Sequence, residues 1–261
     1  MRKEGWINLC EPDITGGKIS TETIDSLKDV EGDKIEISGL RQDTFEYLVN
    51  NYGTRIKEIS FFKCPRITDL SPLESLANVE TVHYYWNQKA ERLWDASKNK
   101  KLYEVSLLNF LRVADFEPFS KSESLKTLVF GNSASGTTGI QTIESLQEIS
   151  SLERLEMNPQ KIQDNRAEPI TKISQLNQLE FNSSLFTTEK VAWLKARLPE
   201  TVKSDRLRAY VELNEENVLV VGKRKPFLNP KTDAVKIEKY VKKFESLVQH
   251  YRSNPELPEP K

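Results

Sequence analysis

Residues 56–78 read IKEISFFKCPRITDLSPLESLAN. Two patterns meet in this stretch. Ile56-x-x-Ile59-x-Phe61 alternates as a strand with one buried face does, whereas Ile67-x-Asp69-Leu70-x-Pro72-Leu73 is broken by turn-forming residues. The first pattern recurs as Val79-x-x-Val82-x-Tyr84, Leu102-x-x-Val105-x-Leu107 and Leu125-x-x-Leu128-x-Phe130, each 23 residues after the one before. The second recurs as Val113-x-Asp115-Phe116-x-Pro118-Phe119, 46 residues later, or two periods. A fixed period in this range signals stacked units, each too thin to bury a core alone.

The unit L-x-x-L-x-L-x-x-N/C followed by I-x-D-L-x-P-L-x-x-L-x-N resembles the leucine-rich repeat of bacterial internalin-like proteins, over roughly residues 30–200. The resemblance implies an α/β fold: a leucine-rich-repeat solenoid with a curved parallel sheet on its concave face and short helices or irregular turns on its convex face. The central strand residue continues at Leu155 and Leu179, the insertion 131–142 lengthening one step. Lys34–Ile37 and Trp6–Leu9 read as degenerate first strands, so six good strands and two weak ones are expected, with a helix over Gln42–Asn51. Cys64 and Asn87 fall where an inward side chain can satisfy strand-end backbone groups. Phe110, Ser133, Gln160 and Ser184 occupy that place later, so the ladder should be imperfect.

Thr187–Leu198 reads as a helix with Thr187 or Thr188 as N-cap, Val191, Leu194 and Leu198 on one face, and Pro199 ending it. Residues 208–213 and 217–221 alternate as a hairpin around Asn214-Glu-Glu-Asn217. A final helix over Lys231–Arg252 carries an apolar stripe of Val235, Ile237, Tyr240, Val241, Phe244, Leu247, Val248 and Tyr251. The expected organisation is therefore degenerate N-terminal repeats or a cap over 1–54, regular repeats over 55–200, and a C-terminal hairpin, helix and disordered tail over 201–261. The hairpin and helix are expected to cap the open end of the stack.

Composition bounds function. Net charge is −1, so no bulk field steers the chain to nucleic acid or anionic lipid, although residues 201–261 hold 13 Lys/Arg against 9 Asp/Glu. The start, Met1–Trp6, has no apolar signal core and no 18-residue apolar run occurs, so a cytoplasmic, monomeric protein without membrane or nucleic-acid partner is expected. Secreted internalins have a signal peptide and anchoring segment; neither is expected here, with secretion by a route that needs no Sec signal as the alternative.

Little catalytic chemistry is legible. Gly16-Gly17-Lys18-Ile19-Ser20 lacks a phosphate loop's spacing, because Pro12 and Ile19 stand where Gly and Ser/Thr are needed. His83 and His250 are far apart, Cys10 and Cys64 form no framework, and no H-x-x-x-H, C-x-x-C or G-x-S-x-G occurs. Bacterial ubiquitin ligases that follow such repeats use a cysteine, and none follows the repeats here. No enzyme activity, cofactor or metal is expected. The run Lys223-Arg224-Lys225 is a second-rank contact site, set against a solvated turn.

The outward strand positions carry the sharper reading. One column runs Ser60, His83, Ser106, Val129, Glu156, Glu180; the next runs Phe62, Tyr85, Leu108, Gly131, Asn158, Asn182; the third runs Glu58, Thr81, Glu104, Thr127, Arg154, Gln178. Phe62, Tyr85 and Leu108 should be adjacent and exposed, with Trp86 and Phe110 just beyond. Clustered aromatics in a polar surround are the composition of a protein-binding hot spot. The expected function is non-enzymatic binding of one protein partner, with Phe62, His83, Tyr85 and Leu108 central, Trp86 as a contact just beyond them, and Glu104, Arg154, Glu156 and Glu180 as a charged rim. The alternatives are an immunity protein that blocks a bacterial toxin, and an enzyme whose active site lies in the C-terminal appendage. Trp86, Phe110 or Leu108 could instead fold back over strand ends, and Trp94 should pack on the convex side.

Overall fold

A computed structural model describes residues 5–11, 19–132 and 139–261. The Gly16-Gly17-Lys18 stretch, Pro12, and residues 133–138 of the 131–142 insertion, Ser133 among them, lie outside the described residues. Eight parallel strands form one sheet: β1 (Ile7–Leu9), β2 (Lys34–Ser38), β3 (Glu58–Phe62), β4 (Thr81–Asn87), β5 (Glu104–Phe110), β6 (Thr127–Gly131), β8 (Arg154–Asn158) and β10 (Gln178–Phe181), in that order. Between the last three, β7 (Gly139–Ile140) and β9 (Lys161–Ile162) pair as a two-stranded parallel sheet. Sequential neighbours pair throughout the main sheet, as a stack of repeats requires. The two degenerate N-terminal strands are real members of it, with Ile7 opposite Ile35 and Ile35 opposite Ile59.

The inward pairs Ile59/Phe61, Val82/Tyr84, Val105/Leu107, Leu128/Phe130, Leu155/Met157 and Leu179/Phe181 are all buried and stack in register. Aromatic rings join the layers: Phe61 stacks on Tyr84 at 4.8 Å, and Tyr84 meets the edge of Phe110 at 5.0 Å. The ladder position behaves as its chemistry allows. Cys64 Sγ makes weak contacts, among them one to the Ile37 carbonyl at 3.8 Å, Asn87 binds five groups, and Phe110 packs as a core ring.

The repeated Asp and Pro have a common explanation. Asp69 Oδ1 accepts from the Ser71 N–H at 2.9 Å and Asp115 Oδ1 from the Glu117 N–H at 3.0 Å. Each bond closes the turn that starts a short 3-10 helix on the convex side, and Pro72, Pro118 and Pro169 sit in the first turn of theirs, where a missing N–H costs nothing. Trp94 packs there as expected, buried against the Phe119 ring at 5.0 Å.

Helices α1 (Thr21–Asp25) and α2 (Gln42–Tyr52) cover the N-terminal end. Helix α2 matches the expected helix; α1, capped by Ser20, was not apparent from periodicity. Tyr52, Lys28 and Tyr47 all bond the Asp25 carboxyl and hold its pKa at about 2, below its ordinary 3.8. A depressed carboxyl stabilises the fold above its unfolded pKa, and that contribution is lost as pH falls through the folded value. Tyr52→Phe should therefore move acid unfolding, followed by circular dichroism, to higher pH. An unmoved midpoint would show that the Tyr52 bond does not act on Asp25 in solution.

Helix α3 (Thr188–Arg197) begins at Thr187, whose side chain accepts from the Lys190 N–H at 3.2 Å. Lys203 then pairs beside Gln178, its carbonyl accepting from the Leu179 N–H at 3.0 Å, so the chain covers the open edge of β10. The hairpin β11 (Tyr210–Asn214) and β12 (Asn217–Val220) forms as expected and is extended by β13 (Phe227–Leu228), which alternation alone was too short to reveal. Helix α4 (Ala234–Ser253) lies on α3 through Phe244, Val248 and Tyr251. Val235, assigned to its apolar stripe, is 81% exposed because it stands in the first turn, ahead of the contact.

Residues 255–261 lie against the last repeat. Leu257 packs on the core, and the Glu259 carboxylate accepts from the Ala167 and Glu168 N–H groups at 2.8 and 3.0 Å and pairs with Lys190 at 2.7 Å. The Pro-rich stretch has no apolar period, but it carries two long-range anchors.

Candidate protein-binding face

Strand alternation delivers the three outward columns in the expected register. Ser60 lies opposite His83, His83 opposite Ser106, Ser106 opposite Val129, Val129 opposite Glu156 and Glu156 opposite Glu180. Phe62, Tyr85, Leu108, Gly131 and Asn158 form the second column. The sheet thus brings the sequence-selected residues onto one face.

At its centre the Phe62 and Tyr85 rings stack at 5.3 Å with 14° between their planes. Both are half-buried, as are His83, Trp86 and Leu108, so each ring keeps an open side while its neighbour covers the other. Phe110, named with them as lying just beyond, is a core residue 3% exposed. Lys63 was not singled out from sequence. Its ammonium sits 5.5 Å from the Phe62 ring centre and 5.3 Å from that of Trp86, close enough to bind both ring faces.

Lys63, Trp86 and Asn109 follow the outward residue of three successive strands, and all have positive φ, at 55°, 71° and 59°. Asn visits this conformation readily; a bulky Trp does so rarely. The strand-end turn is thus set by the repeat rather than by local preference, and it carries Trp86 beside Lys63. The signal available in sequence was the 23-residue spacing of these three positions, hidden by their unlike side chains.

The rim is largely self-paired. His83 Nε2 is 3.3 Å from Glu104, Arg154 is 3.2 Å from Glu156, and Asn158 donates to Glu156 at 3.3 Å. Glu180 accepts from the Asp205 N–H at 2.9 Å and lies 3.5 Å from Arg206, so it ties the sheet to the cap. Half-exposed pairs of this kind contribute only about 0–1 kcal/mol each and exchange partners at little cost.

The basic run is drawn into the cap. Lys223 Nζ donates to Asn165 at 2.8 Å, and burial, followed by nearby Lys190, lowers its pKa. Lys225 lies 5.6 Å from the Tyr240 ring centre, and Arg224 stands in an exposed turn at φ 56°. These three are remote in sequence from the sheet and do not extend its face. Among the described residues no group of three or more His, Cys, Asp or Glu is placed to hold a metal ion, and no helix is long and apolar enough to cross a membrane.

Successive parallel pairing with short convex helices and a capped end defines a leucine-rich-repeat solenoid. Comparison with solved structures agrees. An internalin (inlF) from Listeria monocytogenes superposes with a TM-score of 0.50 and 16% identity, over 67% of this chain and 48% of that one. Internalin C2 from the same organism gives a TM-score of 0.45 at 21% identity, over 59% of this chain and 62% of that one. The chain thus spans about half to three fifths of the length of these structures. No family model and no curated protein matches the sequence.

Proposed function

We propose that this chain is a non-enzymatic protein-interaction module that holds one protein partner on its concave face. The observation that supports this most is the in-register Phe62–Tyr85 stack, open on one side and joined through Lys63 to Trp86. Stacked rings on paired strands cannot collapse inward, because the inward positions are filled by Phe61 and Tyr84. A rigid surface loses little ordering entropy on binding. Leu108 and His83 flank the stack, and Glu104, Arg154 and Glu156 supply polar groups whose internal pairs can reopen toward a partner. Glu180, held by the cap, plays a smaller part than its position in the column suggests.

The partner can be isolated by affinity purification from the source cells, and its binding measured by titration calorimetry. Phe62→Ala or Tyr85→Ala should each weaken binding by about 2 kcal/mol, roughly thirtyfold, with the far-ultraviolet spectrum unchanged. Unchanged affinity in both variants would remove this face from the interaction.

A further inference from the structure

The segment 255–261 occupies a cleft between α3 and the loop 164–168, and one feature sets that cleft apart. Lys190 is 4% exposed and its partner Glu259 12%; among the described ion pairs no other has both side chains so withdrawn from water. The Lys190 ammonium also donates to the Asn165 carbonyl, and the backbone N–H groups of Ala167 and Glu168 complete the carboxylate's shell. A buried ammonium on a rigid helix, with two converging backbone donors, favours one anionic group strongly and any neutral one weakly. Beside it Trp193 Nε1 donates to the Leu257 carbonyl at 3.4 Å, and Arg197 donates to the Asn254 and Leu257 carbonyls at 3.1 and 3.0 Å. The cleft thus reads the turn 254–257, closed by the Leu257 N–H on the Asn254 carbonyl at 3.2 Å, as well as the charge that follows it. A cavity of about 600 Å³ remains open where the segment runs past Arg166.

We propose that this cleft is a peptide-recognition site for an acidic residue set between prolines, and that Pro258-Glu259-Pro260 of the same chain is its exchangeable ligand. Proline fixes the flanking backbone in the extended form, so such a ligand is ordered before it binds. Exchange needs only local opening: Pro255, Glu256, Pro258 and Lys261 are exposed and the segment joins no sheet, so releasing its anchors Leu257 and Glu259 leaves the repeats folded, and such openings lie below the cost of global unfolding. When the segment lifts, Lys190 meets water and can accept the same motif from another protein. This site is independent of the concave face.

The test uses the full chain and a labelled nine-residue peptide, SNPELPEPK, read by fluorescence anisotropy. In Glu259→Gln the internal ligand is weakened, and the peptide should bind at least about tenfold more tightly than to the wild type. A peptide with Gln in place of that Glu should bind at least about tenfold more weakly than the parent. Lys190→Met should lose the preference for Glu. Should Lys190→Met prove unfolded by circular dichroism, the two peptides alone decide. Equal peptide binding to wild type and Glu259→Gln, no binding to either, or indifference to the Glu-to-Gln change overturns the proposal.

Discussion

Trp94→Ala should destabilise the protein by about 4–5 kcal/mol, the larger of the effects expected from single substitutions. Two terms add. The indole is 1% exposed and packs edge-on to Phe119, so truncation leaves a cavity between convex layers that neighbours cannot fill. Its Nε1 also donates to Asn99 Oδ1 at 2.8 Å, and Asn99, fully buried, donates in turn to the Leu73 and Leu76 carbonyls at 2.8 and 3.1 Å. Removing the indole orphans that oxygen inside the core. Trp94→Phe separates the terms: it keeps most of the volume and loses the bond, so about 2 kcal/mol is expected. Urea unfolding followed by circular dichroism gives both numbers. A phenylalanine variant as stable as wild type would show that the Asn99 bond contributes nothing net; an alanine variant losing under about 2 kcal/mol would contradict tight convex packing.

What was legible in the sequence follows from what repeats. Strand alternation and the 23-residue step together fix which side chains share a face and which stand opposite, so all three outward columns came out in register. The substitutions within the repeat were harder to read. Asn99 occupies the position that Leu76 fills one period earlier, where a pattern reader sees only a lapse in hydrophobicity. In the fold it is a buried hub whose carbonyl partners lie 23 and 26 residues upstream. Lys63 failed differently. Its position was known, but a cation lying over two rings depends on the turn at Trp86, whose 23-residue spacing from Lys63 and Asn109 is masked by unlike side chains. The tail was least legible. Glu259 finds Lys190 across 69 residues, and neither residue belongs to a period.

Asn87→Ala should cost about 3–4 kcal/mol, by a route that also reaches the proposed binding face. The side chain is 1% exposed. Its Oδ1 accepts from the Lys89 and Ala90 N–H groups at 2.9 and 2.8 Å, and its Nδ2 donates to the Ile67 carbonyl and the Tyr84 hydroxyl, both at 3.0 Å. Alanine leaves these groups without partners in a place water does not enter, and each orphaned group costs about 1–3 kcal/mol before relaxation. Cys64, one layer earlier, offers a thiol whose contacts are weak, as to the Ile37 carbonyl at 3.8 Å, so Cys64→Ala should cost about 1 kcal/mol; the contrast tests whether the ladder works through bonds or through bulk. Asn87 directly follows Trp86, whose positive φ turns the chain at the strand end, and its carbonyl accepts from the Leu111 N–H at 3.2 Å. Loosening Asn87 therefore loosens the turn that presents Trp86 to Lys63. Partner affinity should fall in Asn87→Ala but hold in Cys64→Ala, and an equal response of the two would mean that the turn and the ring cluster are uncoupled.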